Sequence, residues 1–403
     1  MNLVYVGIDR QLHVVSGWEQ GRLTTTPLTA PPSFTLVPAP QEAWSWPTWS
    51  PDGTWIAAFA TLTRDDEAGP ARVVTMSADG VRQTEWADLP DAAPLYLQWH
   101  PAGDALCALT QVDDDLRLGL IQESRLGTVK EVAQGVPLFF NWTPDGSRLW
   151  VHHGERGKPG GSLLIRDPRG DDEDHLYHRA PGSFCAPVFV AGRALVAVRA
   201  NADEDEVRTS LVVSCTPDGE HEIEIADRPG LVALAAGPTH LAALTFATGG
   251  EGSPYSGLEV FDPLLPDPPR RINEGELLAF TWVPGGTALV TFRVDAPANC
   301  TSVLHIDLAT GAETVLGTFW PTRDLFFWLH FFDQFVQSHP LVSPDGEWVT
   351  WCGYPAGGGQ ADLSAPPCVW VRSLTDLGAR PIEVGRGSFA TFPPALPGRM
   401  AQS

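Results

Sequence analysis

The chain has 403 residues, of which 43% are hydrophobic and 19% are charged, so enough apolar side chains are present for a large core. Its 39 glycines and 37 prolines suit many short strands joined by tight turns, and they argue against a helical protein. The net charge of −23 opposes binding to nucleic acid and to anionic membranes, and it favours cations, partners with a basic surface, or solubility alone.

The N-terminal segment is predicted to be β-structure. Residues 1–9 lack the basic segment, apolar run and small-residue cleavage site of a signal peptide. Three strand-like runs occur at residues 3–8, 11–15 and 22–28, separated by polar turns. No run of about eighteen apolar residues occurs anywhere in the chain, so no transmembrane helix is expected.

A turn motif recurs about every fifty residues and indicates a repeat architecture. Its fullest copy is Trp-Pro-Thr-Trp-Ser-Pro-Asp-Gly at residues 46–53. Proline presets φ in such a turn, aspartate bonds its own backbone, and glycine takes the left-handed position. Weaker or partial copies follow at residues 99–103, 142–146, 188–192, 234–238, 282–286, 342–346 and 392–398.

Each motif sits in a unit of four predicted strands. A short apolar run precedes it, and a β-rich run such as residues 54–59 follows it, which predicts a hairpin. A third run, a second turn rich in glycine and aspartate, and a more polar fourth run complete the unit. Four antiparallel strands repeated radially form the blade of a β-propeller. We label the strands a to d from the centre outwards.

The repeat resembles that of a known family. Pro-x-Trp-Ser-Pro-Asp-Gly followed by an apolar strand is similar to the signature of TolB-like, WD-repeat-like β-propellers, strongly at residues 49–53, 142–146 and 343–346 and poorly in the two central units. The resemblance covers nearly the whole chain and implies an all-β propeller. It implies no particular activity, because such repeats serve as binding platforms and as gating domains on peptidases.

Eight blades are predicted for a single domain spanning residues 1–403. The N-terminal runs supply strands b to d without a strand a, and residues 388–394 supply a strand a alone. A closing blade made from residues 1–40 and 388–403 would leave no open edge. Seven blades, with the N-terminal strands added as a flap, is the alternative. The complete units are predicted at residues 41–93, 94–136, 137–182, 183–230, 231–275, 276–319 and 320–387.

Residues 320–339 form an aromatic insertion between strand d of one blade and strand a of the next. Its apolar area exceeds what a solvated loop holds, so we expect burial, either as a plug of the central channel or as a ligand wall. Asp333 is expected to pair with a histidine or to accept backbone N–H bonds at the start of a strand a. The candidate ligand- or partner-binding residues are Trp320, Phe327, Trp328, His330, Phe331, Asp333 and His339.

The two faces of the ring differ in their loops. The a–b and c–d turns lie on one face, called here the a–b face, and the longer b–c and d–a loops lie on the other, the b–c face. Variable loops on a rigid scaffold usually carry function, so we expect the insertion and the site on the b–c face. An acidic rim is predicted there from Asp65, Asp66, Asp113, Asp114, Asp115, Asp203, Glu204 and Asp205.

No cofactor or metal site is predicted. Carboxylates suit calcium or magnesium, but no EF-hand spacing occurs and consecutive carboxylates cannot all face one ion, so a solvated rim is expected. Zinc-binding histidine pairs, a Gly-x-Ser-x-Gly elbow, a phosphate-binding loop and a dinucleotide fingerprint are all missing from the sequence. None of the six cysteines forms Cys-x-x-Cys, although a disulfide between Cys352 and Cys368 across one blade stays open.

The sequence therefore favours a cytoplasmic, non-enzymatic propeller that binds a protein partner or a ligand as a scaffold. Reduced thiols are the default in that compartment. The alternative is a propeller enzyme, a lyase or hydrolase of a saccharide or lactone, with its site in the axial channel. His100 and His339, at the inward ends of strands a, would contribute to that site.

Overall fold

The fold is built almost entirely from antiparallel strands, in a computed structural model of the chain. The residues that the structure describes are 1–30, 41–64, 67–154, 161–170, 175–182, 185–200, 209–247, 254–295, 300–357, 360–361 and 364–395.

The strands follow the predicted units. Three N-terminal strands come first: β1 (Asn2–Gly7), β2 (Leu12–Ser16) and β3 (Thr24–Pro27). Blades one to three are separate four-stranded sheets formed in chain order by β4 (Gln41–Trp49), β5 (Trp55–Arg64), β6 (Glu67–Ser77), β7 (Gln83–Leu89), β8 (Ala93–Trp99), β9 (Ala105–Val112), β10 (Asp115–Gln122), β11 (Val129–Gly135), β12 (Leu138–Trp142), β13 (Leu149–His153), β14 (Ser162–Arg166) and β15 (His175–Leu176).

Blades four and five are two further four-stranded sheets. They contain β16 (Val188–Val190), β17 (Arg193–Arg199), β18 (Thr209–Cys215), β19 (Ile223–Pro229), β20 (Leu231–Ala236), β21 (Ala242–Ala247), β22 (Tyr255–Phe261) and β23 (Arg270–Leu277). Blades six and seven comprise β24 (Ala279–Trp282), β25 (Ala288–Asp295), β26 (Cys300–Asp307), β27 (Glu313–Pro321), α1 (Arg323–His330), α2 (Phe332–Phe335), β28 (Trp348–Gly357), β29 (Gln360–Ala361), β30 (Cys368–Ser373) and β31 (Ile382–Thr391).

The last strand serves two blades. The first part of β31 pairs with β30 as the outer strand of blade seven. Its second part pairs with β1, in a register that sets Val4 opposite Thr391 and Val6 opposite Phe389. The N-terminal strands thus continue the order β31-β1-β2-β3 and do not form a separate flap. The predicted all-β propeller of four-stranded antiparallel blades is the fold observed, and this strand order is consistent with eight blades.

The motif turns have the predicted chemistry. In the first copy, Asp52 Oδ1 accepts from the Thr54 N–H at 3.0 Å and from the Ser50 hydroxyl at 2.5 Å. Gly53 adopts φ 70°, where a side chain would be strained. Burial opposes ionisation of Asp52, but the hydrogen bonds from Ser50 and Thr54 outweigh it and lower the pKa of the carboxyl.

All six cysteines are buried free thiols. The sequence allowed a disulfide between Cys352 and Cys368. Cys352 lies opposite Val369 and Cys368 lies opposite Gly353, so the two thiols are offset by one residue, and they are not bonded. The longest helix in the described ranges, α1, has eight residues, and no helix there has the length and apolarity required to span a membrane.

Candidate functional site

The aromatic insertion interrupts strand a of blade seven. Trp320 and Pro321 still pair with β28, opposite Tyr354 and Gly353. Residues 341–342 resume that pairing further along β28, where the Thr350 N–H donates to the Leu341 carbonyl at 2.8 Å. Residues 323–339 therefore leave the strand midway and return to it, whereas the sequence placed the insertion before the strand. We call residues 323–339 the axial plug.

Thr322 starts the plug. Its side chain accepts from the Leu325 N–H at 3.2 Å and so caps α1. The same hydroxyl donates to the Ser388 carbonyl of β31, which ties the start of the helix to the closing strand. The cap explains why the chain turns into a helix at the point where it leaves the sheet.

The plug hydrogen-bonds to the inner strands of successive blades. The Thr48 hydroxyl of blade one donates to the Ser338 carbonyl at 2.9 Å, and the Tyr96 hydroxyl of blade two donates to the Gln334 carbonyl at 3.1 Å. The Gln334 amide both accepts from the Phe140 N–H at 2.9 Å and donates to the Phe140 carbonyl at 2.8 Å. These bonds come from three consecutive blades, and the Phe332 ring contacts Phe280 of blade six on another side of the ring, so the plug lies on the propeller axis.

Aromatic packing completes the ring of contacts. Phe332 lies 4.9 Å from Phe280 of blade six, between ring centroids, and Phe335 lies 4.9 Å from Trp46 of blade one. Trp328 packs against Phe292 at 6.2 Å. Phe280 lies near the start of strand a and Phe292 near the end of strand b in blade six, and both positions are at the b–c end of the channel, where the sequence predicted the insertion.

Two titratable groups are enclosed within the plug. Asp333 Oδ2 accepts from the Ala186 N–H at 2.8 Å, just before β16, which is the second of the two alternatives considered for this carboxylate. Burial raises the pKa of Asp333 to about 6, against the lowering effect of that bond. His339 Nδ1 lies 2.7 Å from the Ser338 hydroxyl oxygen, and burial lowers the pKa of His339 to about 3.

The remaining candidate residues of the insertion are placed unevenly. Trp328, like Asp333 and His339, is buried among protein groups, so none of these three side chains is open to a partner. Phe327 and Phe331 are partly buried, and their rings pack in a tilted arrangement with centroids 4.9 Å apart.

Three aromatic residues stand apart from this cluster. His330 is half-buried and contacts only the Phe331 ring among the described aromatic pairs. Trp320 lies in β27, and no described ring contact joins it to the plug. Phe326 is 51% exposed, although its apolar side chain was expected to be buried.

His100 is not on the axis. Its Nε2 lies 3.0 Å from the Gly146 carbonyl in the turn of the next blade, and its Nδ1 accepts from the Ala102 N–H at 3.1 Å. Its ring packs edge-on against Trp142 at 4.7 Å. It therefore joins two neighbouring turns, and it does not meet His339 in the channel.

The acidic rim is described in part. Asp113 and Asp114 are exposed in the β9–β10 turn, and Asp115 accepts from the Gln134 side chain at 2.8 Å. Within the described ranges, no group of three or more His, Cys, Asp or Glu residues could hold a metal ion. The other predicted rim residues lie outside the described residues: Asp65, Asp66, Asp203, Glu204 and Asp205.

The a–b face of the ring carries three adjoining depressions. An axial pocket of about 280 Å³ lies beneath the plug, between the a–b turns of blades five, six and seven. A central groove of about 700 Å³ shares Pro284, Pro344 and Ala395 with that pocket. An outer groove of about 410 Å³, between blades one and two, shares Asp52 with the central groove. Because each shares residues with the next, the three form one channel-like surface, here called the a–b groove.

The a–b groove is strongly acidic outside the axial pocket. Among the described residues, no lysine or arginine lines its central or outer part, although the Arg82 guanidinium lies 4.5 Å from the centre of the Trp55 ring at the outer part. The N-terminal amine of Met1, which lines the central part, lies 3.0 Å from Glu19 Oε1. Five exposed carboxylates line them: Glu19, Asp52, Glu123, Asp345 and Glu347.

The sequence did not predict this groove. Its carboxylates are scattered over more than three hundred positions of the chain, and only the radial arrangement brings them together. A signal was nevertheless present, because the motif aspartates at 52 and 345 occupy the same turn position and must therefore lie on the same face.

Comparison with known proteins supports the fold alone. No family model matches the sequence, and no curated protein is significantly similar to it. The chain superposes on prolyl endopeptidases with a TM-score of 0.58 and 11% identity, covering 87% of this chain and 50% of theirs. The propeller domain of the Trilobed protease from Pyrococcus furiosus gives 0.51 and 10%, covering 86% and 99%. A eukaryotic initiation factor gives 0.50 and 12%, covering 98% and 99%.

Two further solved structures are longer than this chain. The chain spans 47% of a puromycin hydrolase and 61% of TolB from Acinetobacter baumannii, with TM-scores of 0.48 and 0.37. The superpositions with TM-scores of at least 0.50 support the β-propeller fold, and membership of the TolB-like group stays a prediction.

Proposed function

We propose that the protein is a non-enzymatic propeller that binds a protein partner through the a–b groove, and that the partner presents a basic segment. The observation that carries this proposal is a continuous surface depression with five exposed carboxylates and, in the part of the chain that the structure describes, no lysine or arginine in its lining. A surface of one charge steers an oppositely charged partner and rejects partners of like charge. The overall charge of −23 acts in the same direction.

The plug supports a binding role over catalysis on the axis. Asp333 and His339 are the titratable groups nearest the axis in the described plug, and both are enclosed by protein. An axial lyase or hydrolase would need such groups within reach of a saccharide or lactone. The buried free thiols favour a reducing compartment, so we propose that the protein acts in the cytoplasm.

A charge reversal in the groove tests the proposal. Glu347 is exposed in the a–b turn of blade seven, and no hydrogen bond from its side chain is described, so Glu347→Lys changes charge with little effect on folding. Binding is measured by fluorescence anisotropy against short synthetic peptides that differ only in lysine and arginine content. We expect the basic peptides to bind, the affinity to fall at high salt, and Glu347→Lys to weaken binding about tenfold, or about 1.4 kcal/mol.

Asp91→Lys is the matched control. Asp91 is an exposed carboxylate in the loop between β7 and β8, on the b–c face, so the same charge change falls on the opposite side of the ring. The proposal is overturned if basic peptides bind no better than neutral ones, or if Asp91→Lys weakens binding as much as Glu347→Lys. Turnover of an oligosaccharide or lactone by the wild-type protein would establish the enzyme instead.

A further inference from the structure

The axial pocket differs chemically from the grooves into which it opens. No charged side chain lines it within the described ranges. Four prolines, at positions 238, 284, 340 and 344, form much of its wall, together with Phe189, Trp282 and Val336. The acidic groove therefore ends, at the axis, in an uncharged and mainly apolar recess.

The two amide side chains of the pocket, Asn141 and Gln337, already have protein partners. Asn141 Oδ1 accepts from Gln98 Nε2 at 2.9 Å, and its Nδ2 donates to the Pro187 carbonyl at 3.2 Å. Gln337 Nε2 donates to the Asp333 carbonyl at 3.0 Å. Since these amides are engaged, the pocket offers a ligand mainly apolar contact and a defined shape.

We infer that the axial pocket receives an uncharged, apolar side chain from the bound segment, next to the basic residues that lie in the central groove. The inference rests on the proposed function. A volume of about 280 Å³ is below the usual range for a pocket that encloses a whole ligand, so it suits one side chain of a longer segment. A charged group there would lose its hydration without a partner, whereas an apolar group gains from burial. The segment recognised is thus an apolar residue adjoining a basic stretch.

Filling the pocket tests the inference. Ala236, at the end of β20, is half-buried in the pocket wall, and Ala236→Phe would occupy the recess without changing any charge. Ala309→Phe is the matched control, because Ala309 is exposed in the turn between β26 and β27 on the same face but lines none of the three depressions. A basic peptide with a flanking apolar residue is the probe. We expect Ala236→Phe to weaken its binding at least about tenfold and Ala309→Phe to leave it unchanged.

Changing the peptide gives a second measurement that does not depend on folding of a variant. Replacing its apolar residue by serine, which leaves the charge of the peptide unchanged, should weaken binding to the wild-type protein, and Ala236→Phe should bind the original and the replaced peptide equally. If Glu347→Lys weakens binding but Ala236→Phe and the serine peptide do not, the proposal of the acidic groove is retained and this inference fails. If no basic peptide binds the wild-type protein, the proposed function fails and this inference fails with it.

Discussion

At the scale of single residues, the motif tryptophans link blade to blade. The indole N–H of Trp99 donates to the Thr48 carbonyl at 3.1 Å, and that of Trp282 donates to the Ala235 carbonyl at 3.2 Å. Trp49 makes the equivalent bond, at 3.1 Å, to the Thr391 carbonyl of the closing strand. The indole N–H of Trp142, in the third copy, has no such acceptor among the described residues, but its ring is buried like the others. The recurrence of tryptophan therefore follows from packing between blades.

Asp333 and His339 respond to pH in opposite directions. The raised pKa of Asp333, about 6 in the folded state, means that its contribution to stability is present below its unfolded pKa of about 3.9 and is lost as pH rises through 6. The lowered pKa of His339, about 3, means that its contribution is present above its unfolded pKa of about 6.5 and is lost as pH falls towards 3. Between about pH 4 and pH 6 the two effects largely cancel.

In Asp333→Asn, the pH dependence of stability that comes from His339 should no longer be cancelled by Asp333. The amide oxygen can still accept from the Ala186 N–H, but the group no longer ionises. Relative to wild type, the free energy of unfolding of the variant should rise by roughly 3 kcal/mol between about pH 4 and about pH 7. Urea denaturation at several pH values measures it, with the exposed Asp91→Asn as control. Parallel pH curves for Asp333→Asn and wild type would show that the carboxylate is not buried as described.

At the scale of elements, the plug shows what the sequence could and could not determine. Its apolar content predicted a buried insertion. The carboxylate within it was expected to pair with a histidine or with backbone N–H groups, and the structure shows a backbone partner, Ala186. Its position inside strand a was not predictable, because the strand is split into pieces of a few residues, at 319–321 and 341–342, each too short to recognise. Only the register on β28 shows that the two pieces belong to one strand.

The blades themselves could be predicted because their strand boundaries are marked by local sequence. Each turn motif carries its own local chemistry, as Asp52 and Asp345 show, so a strand boundary can be recognised without knowledge of its neighbours. The a–b groove has no such local signature, since Glu19 and Glu123 become neighbours of the motif turns only when the ring closes.

Two aromatic residues of α1 provide a matched test of the plug. Trp328 is fully buried against Phe292 and donates its indole N–H to the His339 carbonyl at 3.0 Å. Trp328→Ala should therefore lower the free energy of unfolding by about 3–5 kcal/mol. Phe326, 51% exposed on the same helix, should cost no more than about 0.5 kcal/mol when changed to alanine. Equal losses from the two substitutions, measured by denaturant unfolding, would contradict the axial placement of α1.

At the scale of the whole molecule, the two faces have different characters. The plug fills the channel from the b–c side, while the a–b side keeps an uncharged axial pocket that opens into an acidic groove. The a–b groove also crosses the junction where the chain ends meet, because Met1, Asn2, Pro393 and Ala395 line it. Closure of the ring and the shape of the proposed binding surface therefore depend on the same strands.

That dependence leads to a prediction about closure. Deleting residues 388–403 removes most of the segment that pairs with β1, together with Phe389 and Phe392, which are 1% and 0% exposed. Loss of each aromatic ring costs about 3–5 kcal/mol, and the unpaired edge of β1 adds to that cost, so the melting temperature should fall markedly. Phe389→Ala should reproduce part of the loss, and Leu264→Ala, at a side chain 48% exposed, should not.

Because strands β1 to β3 carry Glu19 to the central groove, binding of the basic peptide should also weaken in the truncated protein, measured below its melting temperature. A truncated chain that melts like the full-length protein and binds equally well would rule out both the closure and its link to the groove.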